Sequence, residues 1–428
     1  MTDRRMSTIR AKHDRVRVAM ICGAVDGAQW MVDLSSALIE RGYDVIAVIA
    51  GDGGDTAARL RAEGVPFVSM PQNLVSSSLL ARGVGRIPRV GRALRVPIDG
   101  IAFLATVCRM ASLLRRLDVD LAHTQIFNSI LIGRFAGALA RVPIRVAMVP
   151  GPYHLEAPLT RRIDVGTQRL DHILIGGSRR IVELYRSFGV DSNRLEMVSY
   201  GADPRVFDPA KADPDRIRRE LGVADWAPLV VHVAHFYPVV HGPLAPPALR
   251  GRGLKGHAEL LAAARIVLES RPETIFVFVG RDWGERGESH RSEIEALAHS
   301  LGIAHAAVFT GPRSDVRDFL AAADVAVQCS LSENYGGTIE SLLMRAPTVA
   351  TAVGGMPETV RHEDTGLLVT VGNVPALAAA ILRLIDDPDL GRELGSRGRQ
   401  LMLDEFTAER MVEGVDRVYA RLMSASER

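Results

Sequence analysis

Residues 323–358 read ADVAVQCSLSENYGGTIESLLMRAPTVATAVGGMPE. The apolar run Ala323–Cys329 predicts a buried parallel strand. Glu340–Ala346 has helical character and stops before Pro347, where a second strand begins. Glu333 and Glu340 therefore bracket Gly336, Gly337 and Thr338 between the carboxyl end of a strand and the first turn of a helix. In open α/β sheets ligands bind at that edge, and N–H groups at a helix start favour anions. The glycines alone would also suit an ordinary tight βα loop. The two flanking acids turn the loop into a candidate site.

Working outward, the same alternation fills the chain. Strands are predicted at Val16–Cys22, Tyr43–Ala50, Pro66–Met70, Leu117–His123, Ile144–Val149 and His172–Ser178. A second series runs Leu229–Ala234, Thr274–Val279, Ala307–Thr310 and Gly366–Val369, with helical segments between them. Strands alternating with helices imply an α/β fold of doubly wound parallel sheets. A chain of 428 residues exceeds what one core usually holds, so two domains are expected. Residues 1–15 read as a disordered lead-in, 16–208 as the first domain and 209–228 as a polar linker with three prolines and one short helix. Residues 229–404 read as the second domain, followed by helical residues 405–428.

The composition excludes several classes. Cys22, Cys108 and Cys329 are widely spaced and odd in number, giving neither a disulfide framework nor a CxxC pair. No apolar run reaches membrane-spanning length, and the polar, basic first fifteen residues lack the apolar region of a secretory signal. These features suit a cytoplasmic protein. The net charge of +2 hides an asymmetry: residues 1–150 hold 20 Lys/Arg against 12 Asp/Glu, about +8, leaving about −6 for the rest. Aromatics are 5% and do not interleave with the basic residues, which argues against nucleic acid. Arg82, Arg86, Arg89, Arg92 and Arg95 recur among apolar residues. That pattern suits a solvated helix face, or a basic segment touching the anionic inner surface of a membrane.

Individual residues carry the candidate chemistry. Gly23–Gly27 forms a glycine loop after the first strand but is not GxGxxG, so the dinucleotide fingerprint is absent. His123 is expected to end one strand, and His154 lies just beyond another, placed for acid/base work or hydrogen bonding. Asp118 and Asp120 spell DxD, a metal–diphosphate signal in some sugar transferases, but they open a strand rather than close one. His232, His235, His241 and His257 lack an acidic partner at ligand spacing, so no metal site is expected. Lys255, at a helix start after a proline-rich stretch, reads as an anion ligand, although Gly251–Gly256 is no P-loop.

Taken together, these pieces resemble the family 4 glycosyltransferases of the GT-B fold from about Val16 to Leu422. The resemblance rests on the Gly23–Gly27 loop, the strand with His123, SYGADPRVF at Ser199–Phe207 and LKGHAELL at Leu254–Leu261. It rests further on FTGPRSDVRDFLAAADV at Phe309–Val325, SENYGGTIES and VGGMPE. It implies two Rossmann-like domains facing each other across a cleft, with the last helix crossing back to the first. It implies a nucleotide-sugar donor on the second domain, an acceptor on the first, retention at the sugar carbon and no divalent metal or other cofactor. Residue by residue, Lys255 with Arg250 or Arg252 matches the diphosphate site, along with the Gly336, Gly337 and Thr338 loop. Glu340 matches the acid on the ribose hydroxyls, Glu333 the acid near the hexose, and His154 the histidine touching the transferred sugar. Gly27 and His123 fall among the substrate-side residues.

Three departures are visible. Six residues separate Glu333 from Glu340 where the family usually has seven. The strand-end Gly-Arg pair reads Ala234-His235, and the family's His-Gly reads Pro150-Gly151. The resemblance implies UDP- or GDP-type sugar transfer to a small-molecule, lipid-linked or saccharide acceptor. A nucleotide-sugar epimerase or hydrolase on the same fold is a second reading. A non-catalytic partner that binds a nucleotide sugar or lipid is a third.

Overall fold

A computed structural model describes residues 15–71, 89–242, 244–283 and 285–426. The chain divides into two compact units, Met1–Tyr200 with Ala408–Arg428, and Gly201–Thr407. The basic segment Arg82–Arg95 falls outside the described residues, apart from the backbone of the helix Arg89–Arg116. No helix among the described residues is long and apolar enough to cross a membrane.

The first unit is built on seven strands: β1 Arg17–Cys22, β2 Asp44–Ala50, β3 Phe67–Met70, β4 Leu121–Gln125, β5 Ile144–Val149, β6 Ile173–Gly176 and β7 Leu195–Met197. They lie in the order β3-β2-β1-β4-β5-β6-β7, every neighbouring pair parallel. Strands such as β1, RVAMIC, are apolar on both faces because helices cover both sides of the sheet. The helix Ala408–Ser426 belongs to this unit. It lays Met411, Val412, Val415 and Tyr419 into the core formed by β1 and the helix Gln29–Glu40.

The second unit carries β8 Leu229–Val233, β9 Ile275–Val279, β10 Ala307–Gly311, β11 Val325–Gln328, β12 Thr348–Thr351 and β13 Leu367–Val369. Their order is β10-β9-β8-β11-β12-β13, again all parallel. Both sheets are thus Rossmann-like and doubly wound, and each reverses its strand order once, at β1/β4 and at β8/β11. Ligands sit at such reversals because the two flanking loops diverge there and leave a crevice.

Two expectations change. The expected linker 209–228 is part of the second unit. Its helix Pro214–Leu221 is capped by Asp213, whose side chain accepts from Arg216 N (3.0 Å), and it ends at Gly222 with φ +66°. Ile217 is buried there with Val223, Ala227 and Leu229. Also, β4 begins at Leu121 rather than Leu117, because Asp118 adopts φ +49° and the chain turns before it pairs. His123 therefore lies inside a strand and does not end one.

Candidate active site

The β8/β11 reversal gathers the second unit's charged candidates. Lys255, after β8, forms an ion pair with Glu333, after β11. Both side chains are about five-sixths buried, at 16% and 17% exposure. Burial works against the Lys255 ammonium, but Glu333, Tyr237 and Glu340 together outweigh it, and the lysine's pKa is raised. The Lys255 Nζ also lies 5.4 Å from the Tyr237 ring centroid. The two loops are tied by backbone and side chain: Leu331 N donates to the Leu254 carbonyl (2.8 Å), and Cys329 Sγ to the Gly256 carbonyl (3.2 Å).

Glu340 lies in the six-residue helix Thr338–Leu343. Burial, with the Glu333 charge close by, pushes its carboxyl up to about 7. Its Oε2 is closed to solvent and has no hydrogen-bond partner among the described residues. A buried carboxyl oxygen left without a hydrogen bond is costly, which sets Glu340 apart from the paired acids around it. Gly336 and Gly337 form the turn from Glu333 into this helix. The helix is too short for a strong dipole, so positive charge at the site comes from Lys255. Thr338 is turned inward: its N–H donates to the Tyr335 carbonyl (3.2 Å), its hydroxyl donates to the same carbonyl (2.6 Å) and bonds Thr359 (2.8 Å), and its side chain is fully buried.

The second glycine pair seals the loop. Gly354 has φ +55°, and a Cβ there would collide with the Glu333 carbonyl. Gly355 N donates to the Asn334 carbonyl (2.9 Å), so the VGGMPE segment backs the acidic loop directly.

The two arginines do not join this cluster. Arg252 is exposed and pairs with Glu259 (2.6 Å). Arg250 is exposed and makes no side-chain hydrogen bond to another described residue. The histidines His232, His257 and His290 are buried beside one another, with ring centroids 4.9 and 6.0 Å apart along the series. Among the described residues no three His, Cys, Asp or Glu side chains are placed to hold a metal ion.

In the first unit, Gly27 sits in the loop after β1, with φ +71°, and its N–H donates to Asp55 Oδ1 (2.8 Å). His123 is not presented to a ligand: it is fully buried, with Nδ1 2.6 Å from the Tyr419 hydroxyl, and burial pushes its pKa down to about 3. His154 lies in the short helix Tyr153–Glu156, stacked on Phe127 at 4.7 Å. Its Nε2 is 3.3 Å from Asp164 Oδ2.

Asp164 belongs to a buried network that sequence reasoning missed. It accepts from Arg134 (2.6 Å) and from the Tyr185 hydroxyl, and Arg134 also pairs with Asp171. Burial alone would raise Asp164, but the His154 hydrogen bond and the Arg134 charge hold it well below the usual carboxylate range. Asp171, more enclosed, is pushed up to about 6 by burial. The signal for this network was Arg134 itself, the single charge in the apolar helix FNSILIGRFAGALA.

Known proteins define the class. The family description "Glycosyl transferases group 1" matches residues 249–401, and "Glycosyl transferase 4-like domain" matches residues 27–201. The chain belongs to these glycosyltransferases and has the GT-B fold. A D-inositol 3-phosphate glycosyltransferase of Acidothermus cellulolyticus is 28% identical over 418 residues, 93% of this chain and 86% of that protein. The N-acetyl-alpha-D-glucosaminyl L-malate synthase of Bacillus anthracis is 26% identical over 252 residues, and the match spans only 58% of each chain. Among solved structures, Anabaena HepE in complex with UDP and glucose superimposes with a TM-score of 0.74 at 19% identity, covering 95% of this chain and all of that one.

Proposed function

We propose that this glycosyltransferase moves a sugar from a nucleoside-diphosphate donor to an acceptor, with retention at the anomeric carbon and without a divalent ion. The observation that carries the reading is the Lys255–Glu333 pair at the β8/β11 reversal, with the enclosed Glu340 oxygen beside it. As the donor's glycosidic bond breaks, negative charge grows on the departing nucleoside diphosphate. A fixed ammonium in a largely dry site stabilises that charge without an ion. Lys255 is available for this because its pKa is raised, so it stays cationic through neutral pH. Glu340 accepts the two ribose hydroxyls, and Glu333 orients Lys255 and faces the hexose. UDP in the HepE structure and the inositol phosphate and malate named for the relatives support a nucleotide-sugar donor and a small hydroxylated acceptor.

The test is a panel of UDP- and GDP-sugars incubated with the protein and candidate acceptors after EDTA treatment, read by released nucleoside diphosphate. The product's anomeric configuration is read by NMR. Donor consumption that is absent in every combination, or is untouched by Lys255→Ala, overturns the assignment.

A further inference from the structure

The loops that leave β8 and β9 do not part at the edge of the sheet. Phe236 N donates to the Arg281 carbonyl (2.9 Å) and Trp283 N to the Phe236 carbonyl (3.0 Å), with Phe236 and Asp282 paired as a parallel bridge. The loops thus continue the sheet briefly beyond its strands. Gly280 allows this close approach, since a Cβ there would collide with the Ala234 carbonyl. Phe236 turns into the core, stacked on His257 at 4.2 Å. Its neighbour Tyr237 lies beside Trp283, ring centroids 5.0 Å apart and planes 33° from one another. His235 adds a third ring 5.4 Å from Trp283, tilted by 32°. His235, Tyr237 and Trp283 are each half-buried, so none of the three residues is fully enclosed.

Lys255 lies 5.4 Å from the near end of this group. It therefore separates two unlike surroundings. On the β11 side are the carboxylates of Glu333 and Glu340, which accept hydrogen bonds from hydroxyl groups. On the β9 side are tilted aromatic faces, which favour a flat ring.

We propose that Tyr237 and Trp283 form a stacking shelf for the nucleobase of the donor whose diphosphate Lys255 holds. The inference rests on the reading of Lys255 as the diphosphate's counter-charge. It accounts for half-buried aromatic residues next to a charged site, where Phe236 already fills the core beneath the loop. Because stacking accepts any base, the shelf adds affinity while leaving the choice between uracil and guanine to other contacts.

Isothermal titration calorimetry with UDP, inorganic pyrophosphate and glucose 1-phosphate tests the shelf. Trp283→Ala and Tyr237→Ala are expected to weaken UDP about 5- to 100-fold. Pyrophosphate should change by less than about twofold, and Trp283→Phe, which keeps a ring, should lie close to the wild type. The shelf is overturned if Trp283→Ala binds UDP as the wild type does, or loses pyrophosphate as much as UDP. It is also overturned if that variant loses glucose 1-phosphate but not UDP, which would assign the rings to the hexose. Lys255→Ala separates the two levels: loss of both UDP and pyrophosphate supports the diphosphate site whatever the shelf does. Retention of both overturns that site and the shelf with it.

Discussion

Lys255 and Glu333 are 78 positions apart in the chain and yet form a direct, largely enclosed ion pair. Their meeting follows from strand order. β8 and β11 are neighbours, so the loop after each must share the crevice where the sheet reverses. Replacing Lys255 by alanine removes the cation and leaves Glu333 buried without its partner. Turnover is expected to fall about 100- to 1,000-fold, the usual cost of losing one preorganised group at a developing charge. Lys255→Met, equally apolar but closer in size, separates lost charge from lost volume, and steady-state kinetics of both variants make the comparison.

Glu340 sets a pH dependence. With its carboxyl at about 7, the protonated form dominates below neutrality and cannot accept both hydrogen bonds from a ribose diol. Donor affinity should therefore rise with pH through about 7 and level off above it. Glu340→Gln should bind donor weakly and lose that pH dependence. Titrations of UDP at pH 6, 7 and 8 would show it.

The buried histidines should make the protein acid-sensitive. His123 is pushed down to about 3 and His232 to about 4, both mainly by burial, while an unfolded chain titrates near 6.5. Between those values the unfolded state binds protons that the folded state refuses, so stability is intact above about 6.5 and falls as the pH drops. Each group contributes a slope of up to about 1.4 kcal/mol per pH unit. Denaturant titrations at pH 7.5, 6 and 5 should show midpoints moving down together with pH.

Gly354→Ala should be disproportionately damaging. The backbone there is left-handed, and the added methyl meets the Glu333 carbonyl, which cannot move without shifting the acidic loop. We expect a loss on the order of 1–3 kcal/mol in thermal or chemical unfolding, accompanied by weaker donor binding. Gly53→Ala, where a Cβ meets nothing, is the control.

Arg134→Met should destabilise the first unit by about 3–5 kcal/mol, because it strands Asp164 and Asp171 in the interior. Raising the buried carboxylates' proton affinity should also make the variant comparatively better tolerated at low pH. Urea unfolding at pH 5 and pH 7 would reveal the difference.

Much of the architecture was legible because alternating apolar runs and helical segments determine a parallel sheet with little ambiguity. That Glu333 and Glu340 lie near one another was readable because both follow the carboxyl end of one strand, and Lys255, read from its helix start, comes to the same sheet edge. His123 could not be placed from the sequence: the turn at Asp118 moves the strand's start to Leu121 and its end to Gln125, and period-two reasoning does not detect such a shift. The short helix within residues 209–228 was readable, but its polar composition, in which Ile217 alone is fully buried, hid the fact that it packs into the second unit. Tyr237 and Trp283 were invisible for another reason. Their contact depends on a two-loop backbone bridge between residues far apart in the chain, and neither local sequence carries its signature.

The helix Ala408–Ser426 completes the first unit's core although the whole second unit precedes it in the chain. During synthesis, then, the first 200 residues emerge long before Met411, Val415 and Tyr419 can fill their places. The nascent first unit must wait with an uncovered apolar face beside Leu34 and Leu38. Its final closure is a late event in biogenesis, and a ribosome stalled anywhere within residues 201–407 leaves that face open to chaperones.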